Sequence, residues 1–189
     1  PSLVGSEMCI RDSSLANVGD VKNIGLPTLA VGSPDYSVVG CVNCGAISFL
    51  TLNSDGSLHS SSFVRDGSGA LPPLSTNEFM GAAVAPVGDY NGDTVPDLVV
   101  GAPGYGSSGS FLLLLLNGSA DIVSAVRYTE NSLGLPPLGS GAGLGAAMAT
   151  VPDGRGGPAG AILVGAPRAD GRTNATRGLI MGAISDGTG

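Results

Sequence analysis

The sequence predicts an all-β fold, a partial β-propeller of about three four-stranded antiparallel blades. A short motif recurs three times along the chain, which indicates a repeat protein. Glycine and proline are abundant, with 32 and 13 residues among 189, and this favours many short strands joined by turns. The apolar runs are short and lack helical periodicity, so each is interpreted as a strand.

The repeated motif is Val-Gly-Ser/Ala-Pro, and it begins at Val31, Val100 and Val164, at spacings of 69 and 64 residues. The neighbouring sequence repeats as well, in the same order each time. The blocks that align without gaps are, in pairs, 18–34 with 87–103, 79–89 with 143–153, and 71–74 with 135–138. Chance does not readily place three separate blocks in one order, so the repeat sets the architecture.

Each repeat is predicted to form one blade, with blade one at 14–78, blade two at 79–142 and a truncated blade three at 143–189. The segment 1–13 is similar to translated adapter sequence and is excluded from the fold. The strands predicted for blade two are 79–85, 98–101, 110–116 and 120–128. Asn117-Gly118 predicts a two-residue type I′ turn between the last two, because both residue types tolerate a positive φ.

A glycine motif in two parts, separated by about 20 residues, occurs in blades two and three and is similar to the motif of a known family. The two parts are Met80-Gly81 with Gly101-Ala-Pro in blade two, and Leu144-Gly145 with Gly165-Ala-Pro in blade three. With Gly32-Ser-Pro in blade one, they resemble the FG-GAP repeats of integrin α-chain propellers and related microbial surface proteins. The resemblance implies a ring of about seven blades. Three repeats do not close such a ring, so the chain is interpreted as a fragment.

The loop 89–97 is the candidate metal site. Calcium prefers six to eight oxygen ligands at roughly 2.3–2.6 Å, and side-chain oxygens at alternate positions of a tight loop can converge on one ion. The candidate ligands are the side chains of Asp89, Asn91, Asp93 and Asp97 and the carbonyl of Val95. They match the FG-GAP calcium loop position by position, except that Thr94 stands where that family usually has glycine.

An EF-hand is excluded, because its twelfth loop residue must be a bidentate Glu and here that residue is Val100. The other two repeats keep the first Asp, as Asp20 and Asp153, but place Lys22 and Arg155 at the second ligand position. Neither can hold calcium, so the first Asp is also expected to cap the turn through its side chain. The predicted calcium affinity is weak, with Kd on the order of 10⁻⁴–10⁻³ M.

Two further sets of residues are predicted to be modified. Cys41 and Cys44 lack the second pair of ligands that a zinc site needs, and they precede a strand rather than opening a helix. A small local disulfide between them is therefore predicted for a secreted protein. Asn117 and Asn174 begin glycosylation sequons.

The composition narrows the functional class. A net charge of −7 and a pI near 4.3 argue against nucleic acid as a partner. No apolar stretch reaches the roughly 20 residues that a membrane span needs, and no catalytic constellation is visible, so the chain itself is not expected to be an enzyme.

The FG-GAP resemblance implies an extracellular or cell-surface module with structural calcium. It also implies a protein or glycan ligand, bound on the face opposite the calcium loops. The loops predicted to contact that ligand are 34–44, 103–109 and 167–178. The alternative is a non-catalytic propeller attached to a secreted, phospholipase-like hydrolase, in which the catalytic residues lie in another domain.

Overall fold

The computed structural model describes residues 14–132, 137–152, 159–169 and 179–181, and the adapter-like segment 1–13 lies outside these ranges. All regular structure in the described residues is β, which confirms the predicted fold class. The strands are β1 Leu15–Gly19, β2 Thr28–Ser33, β3 Ala46–Leu52, β4 Leu58–Arg65, β5 Val84–Gly88, β6 Asp97–Ala102, β7 Ser110–Leu116, β8 Ile122–Tyr128, β9 Ala147–Pro152, β10 Ala159–Ala166 and β11 Leu179–Met181.

The strands form antiparallel meanders, as propeller blades require. Sheet order is β1-β2-β3-β4 in blade one and β5-β6-β7-β8 in blade two, and the described part of blade three is β9-β10-β11. The first strands of successive blades, β1, β5 and β9, contact one another, so they form the inner edge. The outermost strand of blade one, β4, is mostly exposed. Among the described residues, no helix is long and apolar enough to cross a membrane.

Within the described residues, the core consists of two apolar layers, one on each side of blade two. The first layer lies between blades one and two and includes Phe49 and Leu112, and the second lies between blades two and three and includes Phe111 and Leu144. Every residue of β6 is buried, because both faces of the middle blade are covered. The run of leucines in β7 is explained in the same way, since successive side chains point into opposite layers.

The motif glycines lie where neighbouring blades approach most closely. A Cβ on Gly32 would come 2.0 Å from the carbonyl oxygen of Gly81 in the next blade. A Cβ on Gly101 would come 1.9 Å from the carbonyl oxygen of Gly145, one blade further on. Real Cβ atoms do not approach a backbone oxygen so closely, so the motif recurs because each contact between blades excludes a side chain.

Backbone hydrogen bonds also join the blades at a repeated position. The amide of Met80 donates to the carbonyl of Cys44 at 3.0 Å, and the amide of Leu144 donates to the carbonyl of Ser108 at 2.8 Å. These two bonds are equivalent, since each residue of the second lies 64 positions after its counterpart in the first. We call the contact between residues 42–45 and 77–81 the first seam.

A carboxylate anchors the connection between blades. Asp66 Oδ1 accepts the Leu74 amide at 2.9 Å, and Glu130 Oε2 accepts the Leu138 amide at 2.7 Å. The two acids are again 64 residues apart, just after the outer strand of each blade. The repeated Leu-Pro-Pro-Leu segment is thus held at its last residue by a side chain from its own repeat.

The predicted start of the inner strand of blade two is wrong. The strand begins at Val84 rather than at residue 79. Phe79 and Gly81 both have positive φ, 58° and 93°, which interrupts an extended backbone. The amide of Phe79 instead donates to the carbonyl of Asn43, so this stretch binds blade one before it enters its own sheet.

The predicted type I′ turn in blade two is also wrong. Neither residue of the Asn-Gly pair has a positive φ, and the loop spans residues 117–121. The carbonyl of Asn117 accepts the amide of Ala120, whose φ is 64°. Blade one has the same loop, in which the carbonyl of Asn53 accepts the amide of Gly56 at φ 81°. The left-handed residue is therefore the fourth of the loop in both blades.

Candidate functional site

The loop 89–97 joins β5 to β6 and is organised around its first residue. Asp89 Oδ1 accepts the amides of Gly92 at 2.8 Å and Asp93 at 2.9 Å. Asp89 Oδ2 accepts the amide of Thr94 at 2.7 Å. Both oxygens of the Asp89 carboxylate thus accept backbone amides of the loop and stabilise its turn. This is the turn-capping role expected for Asp89.

The next two candidate ligands are exposed and bonded to each other. Asn91 Nδ2 donates to Asp93 Oδ2 at 2.9 Å, and Asn91 Oδ1 accepts the amide of Asp93 at 3.1 Å. Asp93 Oδ1 also accepts the amide of Val95 at 2.8 Å. The structure therefore brings Asn91 and Asp93 together on the exposed side of the loop.

Asp97 forms the buried floor of the loop. Its side chain is fully buried, and it accepts the amides of Tyr90 and Leu116, each at 2.9 Å. Burial raises the pKa of Asp97 to about 6, and the negative charges of Asp93 and Asp89 add to this rise. The two amide bonds act in the opposite direction, because they stabilise the carboxylate. The site thus places three acidic residues where their charges repel.

The oxygen atoms of these residues are suitable ligands for a hard cation, although many of them already accept hydrogen bonds from backbone amides of the loop. Among the described residues, no group of three or more His, Cys, Asp or Glu side chains is arranged to hold a metal ion. A carboxylate has about four lone-pair sites, so oxygens that accept amides still keep capacity for an ion. The residues fit calcium in their chemistry, and binding would require them to turn toward a common centre.

The equivalent loop of blade one has the same backbone without the other ligands. Asp20 accepts the amide of Ile24 at 3.0 Å and that of Gly25 at 2.6 Å. Gly25 has φ 76° and Thr94, at the same position of blade two, has φ 73°. The two loops therefore share one shape, and the first Asp maintains it in both. The corresponding residues of blade three, 153–158, lie outside the described ranges.

Cys41 and Cys44 are free, buried thiols, and the predicted disulfide is not formed in this structure. The thiol of Cys44 donates to the carbonyl of Cys41 at 3.1 Å, and the thiol of Cys41 donates to the carbonyl of Leu74 at 3.7 Å. Burial raises the pKa of Cys41 to about 12. The thiol of Cys41 is therefore protonated at neutral pH.

The first predicted glycosylation site has a structural role in its turn. Asn117 is half-buried, and its side-chain oxygen accepts the amides of Ser119 at 2.9 Å and Asp121 at 3.0 Å. Attachment of a glycan remains a prediction for Asn117. The second predicted site, Asn174, lies outside the described residues.

Sequence reasoning missed an ion pair between the blades. Glu78 is fully buried and pairs with Arg127 of β8, whose guanidinium lies 4.0 Å from the ring centroid of Tyr105. Burial raises the pKa of Glu78, while its hydrogen bond with Arg127 acts in the opposite direction. Few residues are charged in this chain, and Glu78 directly precedes the repeated block 79–89, so its position was a signal for a role of the Glu side chain but not for its partner. Its counterpart in blade three is Ala142.

The predicted ligand loops and the calcium loop lie at opposite ends of the sheets. The loop 89–97 joins the first and second strands of blade two, whereas 103–109 joins its second and third strands. In an antiparallel meander, consecutive connections alternate between the two ends. The loop 34–44 lies at the same end as 103–109, and its Val39 is fully exposed. Of the third predicted loop, 167–178, the structure describes only residues 167–169.

Comparison with known families gives one result that bears on this geometry. Residues 80–114 match the family model of the FG-GAP repeat. The matched segment contains Gly81, Gly101 and the whole of the loop 89–97. A search of curated proteins found no match to the chain.

Proposed function

We propose that this chain, which contains an FG-GAP repeat at residues 80–114, is part of an extracellular, calcium-stabilised β-propeller that binds a protein or glycan ligand. The FG-GAP match and the four-stranded antiparallel sheets support the propeller. Calcium is structural in this proposal, and the ligand binds at the opposite end of the blades. The chain itself has a binding rather than a catalytic role.

The observation that carries the calcium proposal is the buried Asp97 beneath Asp89 and Asp93. A fully buried carboxylate close to two others is costly, because burial and like charge both oppose its ionisation. A divalent cation would offset that repulsion and occupy the lone pairs that the amides leave free. The ion would be held by these three carboxylates, the side-chain oxygen of Asn91 and the carbonyl of Val95.

Blade one provides an internal comparison for this proposal. Its loop keeps the first Asp, but Lys22, Ile24 and Thr28 stand at the positions of Asn91, Asp93 and Asp97. Lys22 donates to Ser60 Oγ at 2.8 Å. The buried Thr28 bonds the hydroxyl of Thr51 at 3.1 Å. Neutral residues thus stand in blade one where blade two has Asp93 and Asp97, so the turn itself does not require these two acids.

Calcium titration tests the proposal. The protein should bind calcium with Kd on the order of 10⁻⁴–10⁻³ M, measured by calorimetry, and its melting temperature should rise with the concentration of the ion. Asp93→Ala should remove both effects. The matched control, Asp20→Ala, should lower stability but keep the calcium response. An unmodified protein that shows neither heat nor a rise in melting temperature would contradict the proposal.

The ligand surface is proposed at the loops 34–44 and 103–109. Val39 is fully exposed and Val42 is more than half exposed in the first of these loops, so both side chains are accessible to a ligand. Fluorescently labelled protein should bind cultured cells, and Val39→Ser with Val42→Ser should reduce this binding. Enzymatic removal of surface glycans distinguishes a glycan ligand from a protein ligand. Binding that the double variant leaves unchanged would place the contact elsewhere.

A further inference from the structure

We propose that Cys41 and Cys44 are a redox-active pair. By exchange with a small-molecule or protein disulfide they close into a disulfide, which fixes the first seam between blades one and two. This inference is independent of calcium and of the ligand. It assigns the pair a reversible covalent modification that controls how firmly one blade is joined to the next.

The position of the pair in the fold supports this role. Three consecutive carbonyls at the end of the Cys-containing loop accept backbone amides from residues 77–80, where blade one passes into blade two. The bonds run from Asn77 to Val42 at 2.7 Å, from Phe79 to Asn43 at 3.0 Å and from Met80 to Cys44 at 3.0 Å. The two cysteines therefore enclose the acceptors of the first seam, so a bond between their sulfurs would restrict these carbonyls directly.

The backbone already holds the two thiols close together. Val38 and Cys41 exchange a pair of backbone hydrogen bonds at 2.9 and 3.0 Å, and the amide of Gly45 donates to the carbonyl of Tyr36 at 3.0 Å. These bonds close the loop on both sides of the pair. The thiol of Cys44 lies 3.1 Å from the carbonyl oxygen of Cys41. The two side chains also interact with each other, and this interaction adds to the effect of burial on the pKa of Cys41.

Blade two shows that the fold does not require cysteine here. The equivalent positions, 64 residues later, are Tyr105 and Ser108. The carbonyl of Ser108 still accepts the amide of Leu144 at 2.8 Å, so the corresponding contact with blade three forms without a thiol. The two buried thiols of blade one are therefore not needed for the contact between blades. The reaction that two neighbouring thiols have in common is oxidation to a disulfide.

One external disulfide is sufficient to oxidise Cys41 and Cys44 by thiol–disulfide exchange. A thiolate of the pair attacks one sulfur of that disulfide, forms a mixed disulfide and releases one thiolate. The second cysteine, as its thiolate, then attacks the sulfur of the first and releases the other. Two S–H bonds are lost and one S–S bond forms, so the external disulfide takes up two electrons and two protons. Because Cys41 and Cys44 are both buried, an external disulfide reaches them only when the loop opens.

Equilibration with glutathione tests the inference. Cys9, outside the described residues, is changed to Ser in every sample so that only the pair can react. The protein is refolded in buffers of increasing oxidised-to-reduced glutathione ratio and analysed by mass spectrometry and amide hydrogen exchange. The oxidised form should lose the mass of two hydrogen atoms and melt roughly 4–8 °C higher. The amides of Phe79 and Met80 should exchange more slowly, whereas that of Leu144 should not change.

The control variant is Cys44→Ser, which copies Ser108 and keeps a donor for the carbonyl of Cys41. Its melting temperature and its exchange at Met80 should not respond to glutathione. If this variant fails to fold, the comparison between the two redox forms of the unsubstituted pair still decides the question. The inference is overturned if no internal disulfide forms at any ratio, or if it forms without slowing exchange at Met80.

Discussion

Thr94 and Gly25 occupy the same position in the loops of successive blades and share a left-handed backbone, with φ 73° and 76°. Glycine adopts this conformation without steric cost, whereas a residue with a Cβ loses roughly 1–2 kcal/mol there. Thr94 is held in place because its amide donates to Asp89 Oδ2 at 2.7 Å. The loop of blade two therefore stores strain that the loop of blade one does not.

Relieving that strain should stabilise the protein. Thr94→Gly is expected to raise the free energy of unfolding by about 1 kcal/mol, because the loop conformation no longer includes a strained β-branched residue. The reverse change, Gly25→Thr, should lower it by a similar or larger amount. Urea unfolding curves measure both. Equal stability of the Thr94→Gly variant and the parent protein would show that the loop carries no such strain.

A second position offers an independent test of the same principle. Ala120 has φ 64° in the β7–β8 loop, and its counterpart in blade one is Gly56 with φ 81°. Ala120→Gly should therefore stabilise the protein by up to about 1 kcal/mol, and Gly56→Ala should destabilise it. The melting temperatures of the two single variants, compared with that of the parent protein, test both expectations. A loss of stability in Ala120→Gly would indicate that the methyl group packs usefully, since Ala120 is buried.

The close contact between blades two and three can be tested by adding one methyl group. Gly101→Ala places a Cβ 1.9 Å from the carbonyl oxygen of Gly145, so the two backbones must separate. We expect a loss of roughly 3 kcal/mol, the upper end of what overpacking costs. Gly118→Ala is the matched control, because its nearest neighbour lies 4.0 Å away. Similar stabilities of the two variants, measured in urea, would contradict the close approach.

The buried Glu78 should make stability depend on pH. Its pKa is raised above the ordinary 4.5, chiefly by burial. As the pH rises past that value, the unfolded chain releases the proton first while the folded protein retains it. Rising pH therefore favours unfolding across this window, and stability falls until the folded carboxyl has also ionised. Subtracting the unfolding free energy of Glu78→Gln at each pH should isolate this slope, and a flat difference would refute it.

The repeat made the fold predictable because the aligned blades share their strand order and the glycine contacts between them. β7, Ser110–Leu116, has the predicted bounds, since a run of buried aliphatic residues ends at a clear turn. The start of the inner strand was misplaced because the small residues after Phe79 also suit a strand, whereas the positive φ of Phe79 and Gly81 follows from their contacts with blade one. The ion pair of Glu78 with Arg127 joins residues 49 positions apart, which no local pattern reveals.

The candidate site was predictable in its residues and less so in its geometry. The alternating oxygens from Asp89 to Asp97 are visible in the sequence, and the structure places them in one loop. The sequence could not show that Asp97 is fully buried and bonded to Leu116, because that contact depends on the neighbouring strand. It also could not show which carboxylate oxygens are used by backbone amides.

The glycine contacts also bear on how such a chain can grow during evolution. Within one repeat, Gly81 fits against the preceding repeat and Gly101 fits against the following one. A single copied stretch of gene would thus encode both complementary surfaces, and a tandem duplication would produce neighbours that already match. Whole repeats can be gained or lost with little new selection at their junctions. Replacement of either glycine by a residue with a Cβ, by contrast, would be removed by selection.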